Sequence, residues 1–173
     1  IAAEPGLDFV AVSRSDDPSE LREIAATRGL SGIQLHAPFQ GSVDGELELI
    51  ERAHAALADT DAELVWRAID ITNPQWVDIA PKLAAQVDRL VLDSGRGGTG
   101  RSFDWTAIPD DIKAHSLLAG GLNLANLEGA LKVGAAGLDL NSGLETRPGH
   151  KDAALISQAF RTLRLFNQPD KKD

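Results

Sequence analysis

The sequence predicts an α/β fold of the (β/α)₈ TIM-barrel type, here an incomplete barrel with about six βα units. Six short apolar runs recur about 20 to 30 residues apart. Most are continuously apolar, which is typical of parallel strands buried on both faces, and helical patterns lie between them. Polar or glycine-rich residues follow four of the runs. Barrels gather functional residues at the carboxyl ends of several strands, whereas open sheets gather them at one switch point, so the pattern favours the barrel.

The predicted strands share a run of aliphatic side chains: Asp8–Ser13, Gly32–His36, Glu63–Ile69, Arg89–Asp93, Ser116–Ala119 and Gly137–Asn141. The predicted helices are marked by N-caps, by buried apolar stripes and by glycines that end them. The N-caps are Asp17 (followed by Pro18 and Glu20), Asn73 (followed by Pro74), Asp104 and Asn123. The buried stripes are Leu21, Ile24 and Ala25; Leu47, Ile50, Ala53 and Leu57; Trp76 and Val77; Leu127, Ala130 and Leu131; and Leu155, Ile156, Phe160 and Leu163. Gly29 and Gly134 end the first and fifth helices.

The composition excludes several classes of function. The net charge is −9 at pH 7, which argues against nucleic acid or an anionic membrane as the main partner. No apolar run approaches about 18 residues, so no membrane span is predicted, and no signal peptide is visible. The absence of cysteine excludes disulfides and thiolate metal sites and fits a cytoplasmic location. No linker divides residues 1–173, so we predict one barrel domain with a flexible tail at 168–173.

Asp93 is the predicted catalytic residue. It ends the fourth strand, and a glycine-rich loop that includes Gly97 and Gly98 follows it. A strand that delivers an acid next to a loop of backbone N–H groups suits general acid–base chemistry on a small phosphorylated substrate. The alternatives are an aspartate that only caps a turn and an ordinary flexible surface loop.

The predicted phosphate site lies in the loops after the fifth and sixth strands. Gly120 and Gly121 follow the fifth strand, and Ser142 and Gly143 follow the sixth. Loops after the last two strands of a barrel commonly bind phosphate, and their N–H groups need no lysine to do so. The alternative is a pair of ordinary strand-to-helix turns.

The segment 145–152 precedes the last predicted helix. We predict that it is a structural latch. Its cationic side chains, Arg147 and Lys151, either add positive potential near an anion or are simply solvated.

His36 ends the second predicted strand, so a barrel would place it at the mouth as a substrate contact. The alternative is a structural histidine whose hydrogen bonds are satisfied. No spacing of His, Asp and Glu indicates a metal site. No serine has a base beside it in the sequence, which argues against acyl transfer.

Four groups of residues form a longer pattern in chain order: Gln34-Leu35-His36; Leu92-Asp93 with Gly97-Gly98-Thr99-Gly100 and Phe103-Asp104-Trp105; Leu118-Ala119-Gly120-Gly121-Leu122; and Asp139-Leu140-Asn141-Ser142-Gly143-Leu144-Glu145 with Pro148-Gly149 and Lys151-Asp152. This pattern resembles the phosphoribosylanthranilate isomerase family of the tryptophan pathway. That family is a (β/α)₈ barrel, sometimes fused to indole-3-glycerol-phosphate synthase. The resemblance runs from about Phe9 to about Arg164.

The resemblance implies an Amadori rearrangement that needs no cofactor. It converts N-(5-phosphoribosyl)anthranilate to 1-(2-carboxyphenylamino)-1-deoxyribulose 5-phosphate. Asp93 then corresponds to the general acid, which protonates the furanose ring oxygen, and a separate base removes the C2′ proton. The resemblance also implies that the phosphate lies over Gly121 and Ser142-Gly143 and that His36 lies near the anthranilate end.

Three departures from the family pattern bear on these expectations. The family's base is a cysteine at the end of its first strand, and this chain has none. The strand at Asp8–Ser13 resembles the family's third, so two βα units are expected before Ile1, together with an arginine for the anthranilate carboxylate. Ala37 replaces a glycine. We therefore expect an N-terminally truncated barrel, completed by a missing N-terminal segment or forming the C-terminal domain of a bifunctional indole-3-glycerol-phosphate synthase/isomerase. Two unpaired strand edges would make the chain by itself unstable, aggregated or dimeric.

Two other functions remain open at this point. A different phosphate-binding barrel, such as a synthase relative, could use the same two loops, although the Asp93 loop argues against it. The second is a non-catalytic or complementation-dependent phosphate-binding barrel portion, which the missing cysteine favours.

Overall fold

The structure is a computed structural model that describes residues 6–94 and 105–167. The chain divides into two compact units, Ile1–Val91 and Leu92–Asp173. Each unit alternates strands with helices, and the strands that alternate with the helices run parallel, which confirms the α/β prediction. The single-domain organisation stays a prediction, and so does the flexible tail at 168–173, which lies outside the described residues.

The first unit places its strands side by side in chain order. Its described elements are β1 (Val10–Ser13), α1 (Pro18–Ala25), β2 (Gly32–Leu35), α2 (Val43–Leu57), β3 (Leu64–Asp70), α3 (Trp76–Ala84) and the first part of β4 (Arg89–Asp93). The strand order is β1-β2-β3-β4, with Val10 opposite Gly32 and Gly32 opposite Leu64 in parallel register. Because β2 is buried along its whole length, its run GIQL reads as apolar with a single polar residue.

The second unit holds the end of β4 and the elements that follow it. These are a 3₁₀ turn (Trp105–Ala107), α4 (Asp110–Lys113), β5 (Ser116–Ala119), α5 (Leu127–Lys132), β6 (Gly137–Leu138), an antiparallel ribbon of β7 (Glu145–Arg147) and β8 (His150–Lys151), and α6 (Ala153–Phe166). β5 pairs with β6 in parallel, with Leu118 opposite Leu138. Leu127, Leu144 and Ala159 form a buried cluster that joins α5, the turn before the ribbon, and α6.

The six predicted strands are all present, and five of them have ends within two residues of the prediction. The sixth ends at Leu138 rather than Asn141. The N–H of Asp139 still donates to Leu118 O at 2.7 Å, and the chain then leaves the sheet to form the loop before β7. The ribbon of β7 and β8 occupies the segment that was predicted to be a structural latch.

The start of α1 follows the predicted capping pattern. Asp17 Oδ1 accepts hydrogen bonds from the N–H groups of Ser19 at 2.7 Å and Glu20 at 3.3 Å, and Pro18 is the first helical residue. The helix ends at Ala25, earlier than predicted, and Gly29 lies in the turn that leads to β2.

Two predicted asparagine caps are wrong. Asn73 and Asn123 lie before the helices and accept hydrogen bonds from the N–H groups of Gln75 at 3.1 Å and Ala125 at 2.9 Å. In each case the asparagine side chain closes a turn by accepting from the backbone N–H two residues further along. Each helix therefore starts after that turn. α5 begins at Leu127. The fourth predicted cap, Asp104, lies outside the described residues.

Two residues predicted to be buried lie on exposed helix faces. Val77 follows the buried Trp76, but the buried stripe of α3 continues through Ile79, so Val77 is rotated away from it. In α6 the small Ala159 is buried, and Phe160 beside it is exposed. Within residues 6–94 and 105–167, no helix is both long enough and apolar enough to cross a bilayer.

Candidate active site

Asp93 is the last residue of β4, and it follows a strand whose central residues are fully buried. Its own side chain is half-buried. The strand therefore places a carboxyl group directly after a buried apolar run. This is the position that the sequence predicted for a general acid.

Gly120 lies directly against Asp93. A Cβ built on Gly120 would lie 2.6 Å from Asp93 Oδ1 and 2.7 Å from Ser94 N, closer than real Cβ contacts come. Ser94 Oγ also donates a hydrogen bond to Gly120 O at 3.1 Å. The backbone of Gly120 has a φ of 83°, which strongly favours glycine. Both its conformation and its contact with the carboxyl group therefore require the absence of a side chain.

The loop after β5 is held by two asparagines. Asn123 Nδ2 and Asn126 Nδ2 donate to Gly121 O at 3.0 and 3.1 Å. Asn126 Oδ1 accepts from Asn123 N at 2.8 Å. Because both amide side chains donate to the same carbonyl, the turn at Gly121 is held by hydrogen bonds within the protein.

The loop after β6 touches the loop after β5. An isolated parallel bridge pairs Gly143 with Asn123, and a Cβ on Gly143 would lie 2.8 Å from Asn123 Cβ and would overlap Leu122 O. Ser142, which precedes Gly143, is exposed. The two predicted phosphate loops are therefore neighbours in space.

Lys151 organises the loop after β6. Its Nζ donates to Asn141 O at 2.8 Å, to Asn141 Oδ1 at 2.5 Å and to Glu145 Oε1 at 2.7 Å. The hydrogen bond from Lys151, followed by that from the Gly149 N–H, holds the pKa of Glu145 below its ordinary value. Lys151 thus acts as a local tie paired to a carboxylate, and it is neither simply solvated nor a bare source of positive potential. Arg147 is exposed.

These contacts bring one acid and two glycine-containing loops into a single set within the second unit. Asp93 lies against Gly120, and Gly143 lies against the residues that follow Gly121. An arrangement of this kind can present a proton donor beside backbone groups that suit a small anion. Among the described residues, no group of three His, Cys, Asp or Glu is placed to hold a metal ion.

His36 lies in the first unit, directly after β2. Its side chain is exposed, and its backbone N–H donates to Ser13 O at 2.7 Å. Ala37, the next residue, is buried. The predicted role of His36 as a substrate contact stays a prediction.

Gly97 and Gly98, together with the rest of the glycine-rich loop, lie outside the described residues, so their predicted role also stays a prediction. Sequence reasoning missed Ser94, although it directly follows Asp93 and its hydroxyl binds Gly120 O. It also missed a buried ion pair between Glu46 and Arg67 in the first unit. The available signal was that Glu46 falls on the apolar stripe of α2 and that Arg67 falls within the apolar run of β3.

Comparison with known proteins extends these observations. The family model described as N-(5′-phosphoribosyl)anthranilate (PRA) isomerase matches residues 1–162. A curated relative, the tryptophan biosynthesis protein TrpCF of Corynebacterium glutamicum, is 41% identical over an alignment of length 173, and the match covers 96% of this chain and 35% of that protein. TrpCF of Salmonella typhi is 35% identical over an alignment of length 161, and the match covers 92% of this chain and 33% of that protein. The chain thus spans about a third of the length of these curated relatives.

Solved structures show the same fold. The phosphoribosyl anthranilate isomerase of Thermus thermophilus aligns with a TM-score of 0.69 and 25% identity, covering 94% of this chain and 75% of that one. TrpF of Jonesia denitrificans aligns with a TM-score of 0.67 and 27% identity, covering 93% and 73%. This likeness confirms the predicted fold class, six βα units of the (β/α) barrel type. Because the family model matches residues 1–162 of this chain and a relative is 41% identical to it, the chain belongs to the N-(5′-phosphoribosyl)anthranilate isomerase family.

Proposed function

We propose that this protein catalyses the Amadori rearrangement of N-(5-phosphoribosyl)anthranilate to 1-(2-carboxyphenylamino)-1-deoxyribulose 5-phosphate in tryptophan biosynthesis. The observation that carries the proposal is the contact between Asp93 and Gly120, which puts a carboxyl group beside the two glycine-containing loops. Family membership supplies the substrate class.

In this proposal Asp93 is the general acid. It donates its proton to the furanose ring oxygen as the bond between that oxygen and C1′ breaks, and the anthranilate nitrogen lends its electron pair to form a Schiff base. Loss of the proton at C2′ then gives an enolamine, which becomes the ketone of the product. The 173 residues contain no cysteine, and the proposal assigns the base to none of them.

The phosphate binds, in this proposal, to the loops that contain Gly120, Gly121, Ser142 and Gly143. The proposal also assigns substrate binding to Gly97 and Gly98, and it assigns contact with the aromatic end of the substrate to His36. In this proposal, holding the substrate by its phosphate orients its ring oxygen toward Asp93.

The decisive variant is Asp93→Asn, which keeps the shape of the side chain but has no carboxyl proton to donate. We expect kcat to fall by about 10² to 10⁴-fold, the range for loss of a general acid. Binding of inorganic phosphate, measured by titration calorimetry, should stay within about twofold of wild type, because the loops remain. Asp111→Asn, which removes an exposed carboxylate from α4, is the matched control. Unchanged turnover in Asp93→Asn would refute the proposal.

A second function is a phosphate-binding barrel portion that is non-catalytic or needs complementation. The absence of cysteine from the 173 residues favours it, since the family resemblance implies a cysteine base. Turnover is compared for the chain alone and for the chain mixed with a segment that carries two βα units of a relative. Activity only in the mixture supports complementation, and phosphate binding without activity in either state supports the non-catalytic function.

We also propose that the chain works in the cytoplasm beside an indole-3-glycerol-phosphate synthase domain. The support is that the chain matches about a third of curated relatives named TrpCF. Assay of the complete gene product for both activities tests this proposal.

A further inference from the structure

One side-chain hydrogen bond joins the end of β4 to the loop after β5. Ser94 Oγ donates to Gly120 O at 3.1 Å, and the two residues are 26 positions apart in the sequence. Ser94 directly follows Asp93, and both residues belong to the second unit, as does the loop. A serine hydroxyl has a single proton, and Ser94 gives it to a backbone carbonyl. While that bond is made, Ser94 cannot donate a proton to a substrate, so it acts through the backbone that it holds.

The bond from Ser94 sets the direction of one peptide group. The peptide between Gly120 and Gly121 is trans, so its C=O and its N–H point to opposite sides. Because the carbonyl of Gly120 points to Ser94, the N–H of Gly121 points away from Ser94. Gly121 is exposed. An anion that approaches the loop from the side opposite Ser94 therefore meets a hydrogen-bond donor and not a carbonyl oxygen.

Two successive glycines make this direction easy to reverse. Gly120 and Gly121 have φ values of 83° and 66°, and glycine adopts positive and negative φ about equally readily, so the peptide between them can turn over at little cost. A reversed peptide would present an oxygen that repels phosphate. The next peptide is already held, since Asn123 Nδ2 and Asn126 Nδ2 donate to Gly121 O at 3.0 and 3.1 Å. Ser94 supplies the corresponding bond for the peptide before it.

We infer that Ser94 is a positioning residue, whose hydroxyl keeps the peptide between Gly120 and Gly121 turned so that the Gly121 N–H donates to the phosphate of the substrate. A backbone donor that is fixed before the anion arrives binds it without the entropic cost of ordering the loop. The inference rests on the proposed function, which assigns the phosphate to this loop. Ser94 performs this role through Gly120 and not by contact with the substrate.

The test is Ser94→Ala in the full chain, with NMR of the backbone amides during titration with inorganic phosphate. In wild type we expect the amide proton of Gly121 to shift as phosphate binds. In Ser94→Ala the dissociation constant read from that amide should rise about 5- to 30-fold, the effect of weakening one hydrogen bond to a charged group. The inference is overturned by a constant within about twofold of wild type, or by a wild-type Gly121 amide that does not respond to phosphate.

Two serines are matched controls, because each also donates its hydroxyl to a backbone carbonyl. Ser116 Oγ donates to Ile112 O at 2.6 Å at the buried start of β5, and Ser157 Oγ donates to Ala153 O at 2.7 Å on the exposed surface of α6. Ser116→Ala should lower the thermal transition temperature at least as much as Ser94→Ala, because its bond is fully buried, and should leave phosphate affinity unchanged. Ser157→Ala should match wild type in both measurements. If Ser116→Ala weakens phosphate binding as much as Ser94→Ala does, lost stability is the cause and the inference fails.

Steady-state kinetics separates the inference from the proposed function. KM for phosphoribosylanthranilate should rise about 5- to 30-fold in Ser94→Ala while kcat changes by less than about threefold, because the phosphate is bound equally in the ground and transition states. A fall in kcat with unchanged KM would show that Ser94 acts on the acid instead, and would overturn the inference. A wild-type chain that binds phosphate at Gly121 but has no turnover would refute the proposed function, whereas the positioning role of Ser94 would then be decided by phosphate binding.

Discussion

At the scale of single residues, Gly120 couples backbone conformation to the position of the acid. We predict that Gly120→Ala lowers kcat/KM at least about 100-fold, since the new methyl group would displace the carboxyl group of Asp93 and misplacement by about 1 Å can cost that much. Gly134→Ala is the matched control, because Gly134 has a φ of 77° but open space where its Cβ would lie. Backbone strain should cost each variant about 1–2 kcal/mol of stability, and Gly120→Ala should lose more because its Cβ also overlaps Ser94 N. Only the first should lose activity, and equal activity in the two variants would contradict the contact.

The residues that could be predicted from the sequence are those whose role is local. Asp17 caps α1 because its neighbours two and three residues on present their N–H groups to it. Asp93 ends its strand as predicted because an apolar run stops there. Arg67 could not be paired with Glu46 from the sequence, since 21 residues separate them and the bond depends on how α2 lies on β3.

At the scale of elements, strand positions follow from composition, whereas helix faces follow from packing. Val77 and Phe160 are as apolar as their buried neighbours, so no local signal shows that they face outward. β6 ends earlier than its apolar run predicts, and Lys151 holds the loop that follows it by three hydrogen bonds. Hydrogen bonds from one side chain to residues that far along the chain leave no periodic pattern in the sequence.

We predict that Lys151→Gln raises KM about tenfold with a smaller change in kcat. The substitution removes the ammonium group that holds Asn141, so the loop with Ser142 and Gly143 loses its order, and phosphate binding contributes equally to the ground and transition states. Lys132→Gln, an exposed change on α5, is the control. Steady-state kinetics on both variants measures the effect. A rise in KM in both would show that lost positive charge, and not the lost tie, is the cause.

The same tie predicts a dependence of stability on pH. The hydrogen bond from Lys151 lowers the pKa of Glu145 in the folded state below its unfolded value. Folding is therefore stabilised by this group above the unfolded pKa of about 4.3, and the contribution is lost as the pH falls through the folded pKa. The stability difference between wild type and Lys151→Gln should shrink in urea unfolding as the pH falls from about 6 to below the unfolded pKa of Glu145. The pKa of Asp17 and that of Asp110 are also lowered, by hydrogen bonds from Ser19 and Lys113, but both effects are common to the two proteins and cancel. A constant difference across this range would contradict the assignment.

At the scale of the whole molecule, large apolar side chains remain exposed in both units. Val12 on β1 is 62% exposed, and Phe160 and Leu165 on α6 are 55% and 62% exposed. β1 stands at the end of its strand order, and an edge strand with an exposed valine is a template for pairing with another chain. The net charge of −9 makes copies of the chain repel one another. Salt screens this long-range repulsion. The balance predicts that the 173-residue chain associates with itself more as ionic strength rises.

Two substitutions test this association directly. Val12→Glu and Phe160→Glu each replace exposed apolar surface by charge, and we expect each to shift the chain toward a monomer of 18.4 kDa in light scattering. Gln158→Glu adds the same charge to an exposed position of α6 without removing apolar surface, so it should have a much smaller effect. Charge repulsion alone would make all three variants equal. A wild-type chain that is already monomeric at high salt, with a single cooperative thermal transition, would show that these exposed side chains carry no drive to associate.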